Sequence, residues 1–551
     1  MGKKVLIVGG VAGGASAAAR MRRLDETAQI IMFERGQDVS FANCGLPYYI
    51  GGFIEKRNKL LVQTPRSLFQ RFNIDVRTMN EVVAIFPQEK MVEVKDLRTQ
   101  DTYRENYDYL VLSPGARPII PNIPGIHLDN VFTVRNVPDS DRIKQFIEAE
   151  KPRQALVVGG GFIGLEMAEN LKERGVAVTI VELADQVMAP LDYEMAALVH
   201  KHLKKNGISL KLGTGLASLE GDDRVRKAVL DNGEQLEADM VVLGIGVTPE
   251  NELAKAAGLA IGSTGGILVD ECLRTSDPYI YAVGDAIQVK HFVTGHDTLL
   301  PLAGPANKQG RLAADSIAGR PVHYRGTQGT AIARVLGLVV AVTGVNEKTL
   351  KKLGWEYLTC YLHPASHATY DPGAEDLALK LLFTPGEGRV LGAQLVGREG
   401  VDKRADVIAT AIRGGMTVYD LQELELAYAP PFSSAKDPVN MAGYVAANII
   451  SGENPPFYWH QLADLNPAEA VLLDVRTEKE VEAGSIPGAI NIPVDELRQR
   501  IDEIPRDKSI YIYCRVGLRG YIAVRILQQH GFTRVQNLSG GYLTYAPTAK
   551  S

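Results

Sequence analysis

Cysteine is scarce in this chain: four residues in 551, Cys44, Cys272, Cys360 and Cys514, with no CxxC pair and no metal-like spacing. That scatter excludes a disulfide framework and a cysteine-built zinc site, and points any thiol chemistry towards catalysis. Sparse, unpaired thiols also predict a reducing cytoplasm. Long apolar runs are lacking too, so no segment is expected to span a bilayer. The run from Val5 to Val8 is too short for the apolar part of a signal peptide and flows into glycines, so it reads as a strand. Charge of one sign is equally missing: a net charge of -5 gives no reason to expect nucleic acid as a partner. With 45% apolar and 23% charged residues the composition is that of a soluble globular protein. Its length predicts roughly three or four domains.

Against these absences stand two glycine-rich turns. Residues 3–14, KKVLIVGGVAGG, read as strand, tight turn and helix, the helix expected over 15–24. A following strand at 30–33 ends in Glu34. Gly9 and Gly14 hold fingerprint positions, Val11 stands where the second glycine is usual, and Glu34 is placed to bind a ribose hydroxyl. The turn at 155–166, ALVVGGGFIGLE, has all three glycines, Gly159, Gly161 and Gly164, and its next strand ends in Glu182. A carboxylate there accepts hydrogen bonds from a free 2′-hydroxyl and repels a 2′-phosphate, which favours NADH over NADPH. Lys201, Lys204 and Lys205 read as a solvated helix face.

Between the two turns lies SFANCGLP, residues 40–47. Gly45 frees the backbone and Pro47 suits a first helical turn, so Cys44 is expected near the positive end of a helix dipole. Such a setting lowers a thiol pKa and favours the nucleophilic thiolate.

Three further segments carry a resemblance. Residues 275–285, TSDPYIYAVGD, are similar to the segment of two-dinucleotide-domain flavoproteins whose aspartate, here Asp285, binds the ribityl chain of FAD. Residues 112–118, with Ser113, resemble the crossover of the same proteins. The resemblance implies an FAD domain split over 1–150 and 270–324, around an NAD(H) domain at 151–269. With SFxxCxxP between the fingerprints, the chain resembles the single-cysteine pyridine nucleotide-disulfide oxidoreductases: NADH oxidases, NADH peroxidases and coenzyme A-disulfide reductases. It implies that electrons pass from NADH through FAD to Cys44, oxidised as a disulfide or a sulfenate. Ser16, Arg20, Arg23, Ser40, Asn43, Asn307 and Lys436 match coenzyme A-contacting positions of the disulfide reductases. Guanidinium forks suit phosphate. Residues 325–447 resemble the family's dimerisation domain, which implies a homodimer. Tyr370 and Tyr428 match tyrosines supplied by the partner subunit, whose phenols can protonate a leaving thiolate. Asp371 and Phe432 depart from the tyrosines often found there. His363 and His367 sit at metal-like spacing, but Pro364 argues against a helix, and no metal is expected. Cys272 and Cys360 read as structural.

After a linker at 448–456 the character changes again. Residues 471–476, VLLDVR, and a strand delivering Cys514-Arg515-Val516-Gly517-Leu518-Arg519 ahead of a helix resemble a rhodanese domain over 457–551. The C-x4-R spacing, Cys514 to Arg519, matches the sulfur-carrying members. A loop of N–H groups at a helix N-terminus stabilises a thiolate and its persulfide. The fold expected is α/β: two Rossmann-like dinucleotide-binding domains, an α+β dimerisation domain and a C-terminal α/β rhodanese domain. The combination resembles the coenzyme A-disulfide reductase–rhodanese fusions. It implies NADH-dependent reduction of persulfide, polysulfide or coenzyme A disulfide, with sulfane sulfur carried on Cys514. An NADH oxidase or peroxidase working through a Cys44 sulfenate is the enzymatic alternative, and a sulfur-sensing carrier the non-enzymatic one.

Overall fold

A computed structural model describes residues 2–549. They form two compact units, one running to residue 185 and resuming over 208–329, the other made of 186–207 and the chain from 330 onward.

In the first unit, Lys4–Val8 is the central strand of a parallel sheet; Val5, Leu6 and Ile7 are buried, as expected of a strand covered on both faces. It lies between Gln29–Glu34 and Tyr109–Leu112, with Val5 opposite both Ile30 and Tyr109. Asp75–Thr78 extends one edge and Ile280–Ala282 the other. The sheet is thus assembled from two stretches of chain with a second sheet between them. That second sheet is also parallel, in the order Ser209–Leu212, Ala177–Glu182, Gln154–Val158, Met240–Leu243, Val131–Thr133. The helices Ala12–Leu24 and Ala303–Ile317 pack closely because Gly310 has no side chain; a Cβ there would collide with the Gly13 carbonyl.

Three segments depart from the division read from sequence. Val131–Thr133 precedes residue 151 yet pairs with the second sheet, Val131 opposite Val241. Residues 186–207, inside the predicted 151–269 domain, pack in the other unit. The helix Pro438–Ile450 runs into the predicted linker, and Pro456 already pairs with Asn537. A three-residue strand is too short to show a period, and a helix's own pattern does not say which neighbour it covers.

The second unit holds an antiparallel sheet in the order Ala331–Val335, Leu338–Gly344, Val390–Gly397, Ala378–Phe383, Leu358–Leu362. Its C-terminal part is a parallel sheet ordered Pro456–Phe457, Val535–Leu538, Ser509–Tyr513, Ala470–Asp474, Ile490–Asn491. A buried charge cluster ties these parts together. Lys380 Nζ, fully buried, pairs with Asp192 at 2.7 Å, Glu194 at 2.7 Å and Glu347 at 2.6 Å. Tyr361 Oη donates to Glu194 at 2.9 Å, and the Trp459 indole N–H reaches the same carboxylate at 3.4 Å.

Candidate functional site

Both glycine turns are closed by the same device. Gly9 has φ +96°, and a Cβ on it would strike the Ser113 carbonyl; Gly14 lies against the Gly9 carbonyl. Glu34 accepts from the Gly10 N–H at 2.9 Å and from the Gly36 N–H at 2.8 Å. In the second turn Gly159 has φ +107° and Gly164 packs on its carbonyl. Glu182 accepts from the Gly160 N–H at 2.6 Å and the Ala184 N–H at 2.9 Å. Gly161, at the start of the helix Phe162–Glu173, is different: a Cβ there would meet nothing within 4 Å. That open approach over a helix N-terminus fits a pyrophosphate. Asp285 follows Ile280–Ala282, and burial, with no cation to offset it, raises its pKa to about 6. A carboxyl so placed suits ribityl hydroxyls, so the first turn fits FAD and the second NAD(H).

Cys44 lies in the short 3-10 turn Asn43–Gly45, which feeds the helix Leu46–Gly51 with Pro47 in its first turn. Ser40, held at φ +47°, stitches this loop to the first glycine turn: its N–H donates to Gly10 O at 2.8 Å, and its carbonyl accepts from Val62 at 2.9 Å. Cys44 as a whole is exposed, while its thiol is partly buried. The expectation of a lowered thiol pKa is overturned: partial burial and the carboxylates of Glu166 and Asp285 push it up. A six-residue helix contributes little dipole against that burial and those carboxylates. Glu166 was missed by sequence reasoning. Burial and nearby Glu169 raise its pKa to about 7, against a hydrogen bond from Tyr48. Its place about one turn into the fingerprint helix, on which Leu46–Gly51 packs with Gly51 against Asn170, was the available signal.

Of the coenzyme A candidates, Ser16 Oγ donates to Asn307 Oδ1 at 2.5 Å, which brings two of them together. Arg20 forms a two-nitrogen contact with Asp315 at 3.1 and 2.6 Å. Arg23 and Asn43 are exposed and Ser40 half-buried, whereas neighbouring Arg22 is buried, donating to the carbonyls of Asp25, Glu26, Ala28, Phe72 and Asn73. In the second unit, the phenols of Tyr370 and Tyr428 are 2.9 Å apart and both are exposed. Lys436, exposed, follows Tyr428 in sequence just ahead of the helix Pro438–Ile450. Arg404, fully buried, ties the two tyrosine segments: it donates to Ser366 O at 2.9 Å and Ser433 Oγ at 3.2 Å and pairs with Asp437 at 3.0 Å. His363 and His367 face different partners, Thr544 and Ser366.

In the C-terminal part the strand Ser509–Tyr513 delivers a buried Cys514, whose sulfur accepts from the Gly517 N–H at 3.1 Å ahead of the helix Leu518–Gln529. The Arg519 guanidinium reaches the Cys514 sulfur and is fixed by Glu480 through two bonds of 2.7 and 2.6 Å. That pairing holds the Glu480 carboxyl down at about 2. Glu480 was missed because Thr477-x-x-Glu480 is a capping box; it does cap Thr477, and it also holds Arg519. Asp474 and Arg476, a buried pair at 2.7 Å, brace the same core.

With two nucleotide cradles, a lone thiol beside them and a loop-held thiol downstream, the architecture is that of a flavin-dependent disulfide oxidoreductase with an appended sulfur-carrier module. Residues 3–310 match the pyridine nucleotide-disulphide oxidoreductase family, 331–438 its dimerisation domain and 459–546 the rhodanese-like domain. The chain belongs to that oxidoreductase family. It is 36% identical over 444 residues to the coenzyme A disulfide reductase of Staphylococcus aureus, covering 80% of this chain and 99% of the relative. The crystal structure of reduced Bacillus anthracis CoADR-RHD superposes with a TM-score of 0.97 at 53% identity, over 99% of this chain and 98% of that one. The NAD-dependent persulfide reductase from A. fulgidus gives 0.93 at 41%, over 98% and 100%. A water-forming NADH oxidase from Lactobacillus brevis gives 0.78 at 27%, over 82% and 99%.

Two variants test this geometry. Glu182→Ala removes charge-assisted acceptance of about 1.5–3 kcal/mol. The kcat/KM for NADH is expected to fall roughly 10–100-fold, with the preference ratio moving towards NADPH. Glu480→Gln loosens Arg519 and is expected to slow sulfane-sulfur transfer from thiosulfate to cyanide by about tenfold. NADH-driven reduction at the N-terminal cradles stays intact in that variant, a comparison made on one preparation.

Proposed function

We propose that this chain is an FAD-dependent NADH:persulfide reductase that also accepts coenzyme A disulfide and polysulfide, working as a homodimer in the cytoplasm. The observation that carries the reading is one chain holding both Cys44 beside two fitted nucleotide cradles and Cys514 in a complete sulfur-carrier loop. Gly9, Gly14, Glu34, Ser113 and Asp285 would hold FAD; Gly159, Gly161, Gly164 and Glu182 would hold NADH. FAD, when bound, supplies a two-electron link between a nicotinamide hydride and a sulfur. Ser16, Arg23, Ser40, Asn43, Asn307 and Lys436 would orient the coenzyme A moiety, with Arg20 available if Asp315 releases it.

The chemistry at the chain's own atoms balances. Cys44 thiolate attacks the inner sulfur of a coenzyme A persulfide; the S–S bond breaks and hydrosulfide leaves, protonated by the partner subunit's Tyr428 or the partner subunit's Tyr370. The resulting mixed disulfide is opened by two electrons originating in NADH, returning the Cys44 thiolate and the coenzyme A thiol. Cys514 carries sulfane sulfur as a persulfide, with Arg519 and the Gly517 N–H stabilising its charge. Free thiols at all four cysteines suit a reducing compartment.

The test is anaerobic NADH turnover with coenzyme A persulfide, coenzyme A disulfide and polysulfide, followed by hydrosulfide release. One NADH consumed per hydrosulfide formed from the persulfide is expected. Consumption only when oxygen or peroxide is admitted would replace this reading by the oxidase, which the Lactobacillus brevis likeness represents.

A further inference from the structure

Tyr370 stands at the tip of a loop whose base is gripped by the rhodanese module. The loop joins Leu358–Leu362 to Ala378–Phe383, and two rungs close its base: Leu377 N–H donates to Pro364 O at 2.9 Å and Ser366 N–H to Glu375 O at 2.8 Å. On the incoming side Tyr361 N–H donates to Ser539 Oγ at 3.1 Å, and His363 Nε2 lies 2.8 Å from Thr544 Oγ1. Burial drives the His363 pKa down to about 4, so its ring is neutral at physiological pH. Gly540 packs against Tyr361 so tightly that a Cβ on it would overlap the tyrosine's own. On the outgoing side Arg515, the residue after Cys514, pairs with Asp376. The tip is held at its far end by Ala368 N–H donating to Ser433 O at 3.1 Å and by Arg404 on Ser366 O at 2.9 Å. Contacts therefore run from the Cys514 loop to both sides of the loop that carries Tyr370, whose phenol meets that of Tyr428 at its tip.

We propose that the Arg515–Asp376 ion pair is a positioning device through which the rhodanese module sets the Tyr370 phenol, making that module a structural part of the reductase site as well as a sulfur carrier. The proposal rests on the reading of Tyr370 as a proton donor to the leaving sulfur. Its energetics favour adjustment over collapse. The pair is half-exposed, and such pairs are weak, so losing it frees the loop without unfolding the sheet on which it stands. Proton donation depends steeply on donor placement, so a small shift at the tip shows in kcat.

The test uses the full-length flavoprotein and coenzyme A persulfide under anaerobic conditions. Asp376→Asn is expected to lower kcat roughly five- to tenfold while leaving the KM for NADH and thiosulfate–cyanide sulfur transfer unchanged, and Asp376→Glu to keep most of the rate. Asp376→Asn combined with Arg515→Gln is expected to fall no further than the lower single variant, as a coupled pair requires. Tyr370→Phe is measured alongside. If Tyr370→Phe slows turnover and Asp376→Asn does not, the positioning role is overturned and the proton-donor reading stands. If Tyr370→Phe has no effect, the proton-donor reading fails, and any loss in Asp376→Asn then belongs to something other than this device. Equal losses in Asp376→Asn and Asp376→Glu would mark fold damage and likewise overturn it.

Discussion

Serine at position 44 is expected to cut NADH-dependent persulfide reduction to below about a thousandth of the wild-type rate, as removal of a covalent nucleophile does. FAD stays bound and is still reduced by NADH, because none of the cradle contacts involves the Cys44 side chain. A serine hydroxyl neither attacks a persulfide at neutral pH nor forms a mixed disulfide that two electrons can reopen. The raised thiol pKa sharpens the expectation: thiolate at Cys44 is limited, so attack speeds up as pH rises through that raised value. Rapid-mixing traces at two pH values, with and without coenzyme A persulfide, separate the reduction of the flavin from the sulfur step. Turnover above a tenth of wild type in the serine variant would remove Cys44 from the mechanism.

Replacing Lys380 with methionine should be the most damaging change outside either thiol site. It leaves Asp192, Glu194 and Glu347 facing each other without their shared cation, and breaking a buried pair in this way costs about 3–5 kcal/mol. The pH dependence has a definite sign. Burial alone would raise the Glu347 pKa, but Lys380, Lys351 and Tyr357 outweigh it and hold it at about 2, below its ordinary 4.5. A depressed carboxyl contributes stability that is present above its unfolded value and lost as pH falls through about 2. In the methionine variant the same carboxyls repel, and acidification relieves them by protonation. The gap in melting temperature between wild type and variant is therefore widest at pH 7 and narrows as pH falls, first as the variant's repelling carboxyls protonate above their ordinary 4.5 and then as the wild type loses its pairing. A gap that stayed constant across that range would contradict the charge account and point to packing alone.

Much of this was legible in the chain itself. Glycine spacing with a glutamate at the end of the next strand marks both cradles, because the backbone needs no side chain there and the carboxylate has one place to go. The loop around Cys514 was equally readable, since a strand, a thiol, an arginine and a helix follow one another without interruption. What stayed hidden depends on residues far apart in sequence. Asp315 meets Arg20 across 295 positions, and no local pattern marks either as a partner of the other. Arg404 with Asp437 and Lys380 with its three carboxylates are hidden for the same reason. At Cys44 a local argument, the helix dipole, lost to burial and to Glu166 from another helix, which changed the direction of the thiol's shift.

The close packing of Gly310 on Gly13, together with the edge strand Ile280–Ala282, bears on the order of events during synthesis. The first glycine turn is made well before the Gly310 wall of its pocket and the Ile280–Ala282 edge of its sheet, which come late in the sequence of the first unit. At about 5–20 residues per second, the nascent chain waits roughly fifteen seconds to a minute before those pieces arrive. Meanwhile Gly159–Glu182 and the strands of the second sheet can already close. The NADH cradle is thus ready to form before the flavin cradle, the reverse of their order along the chain.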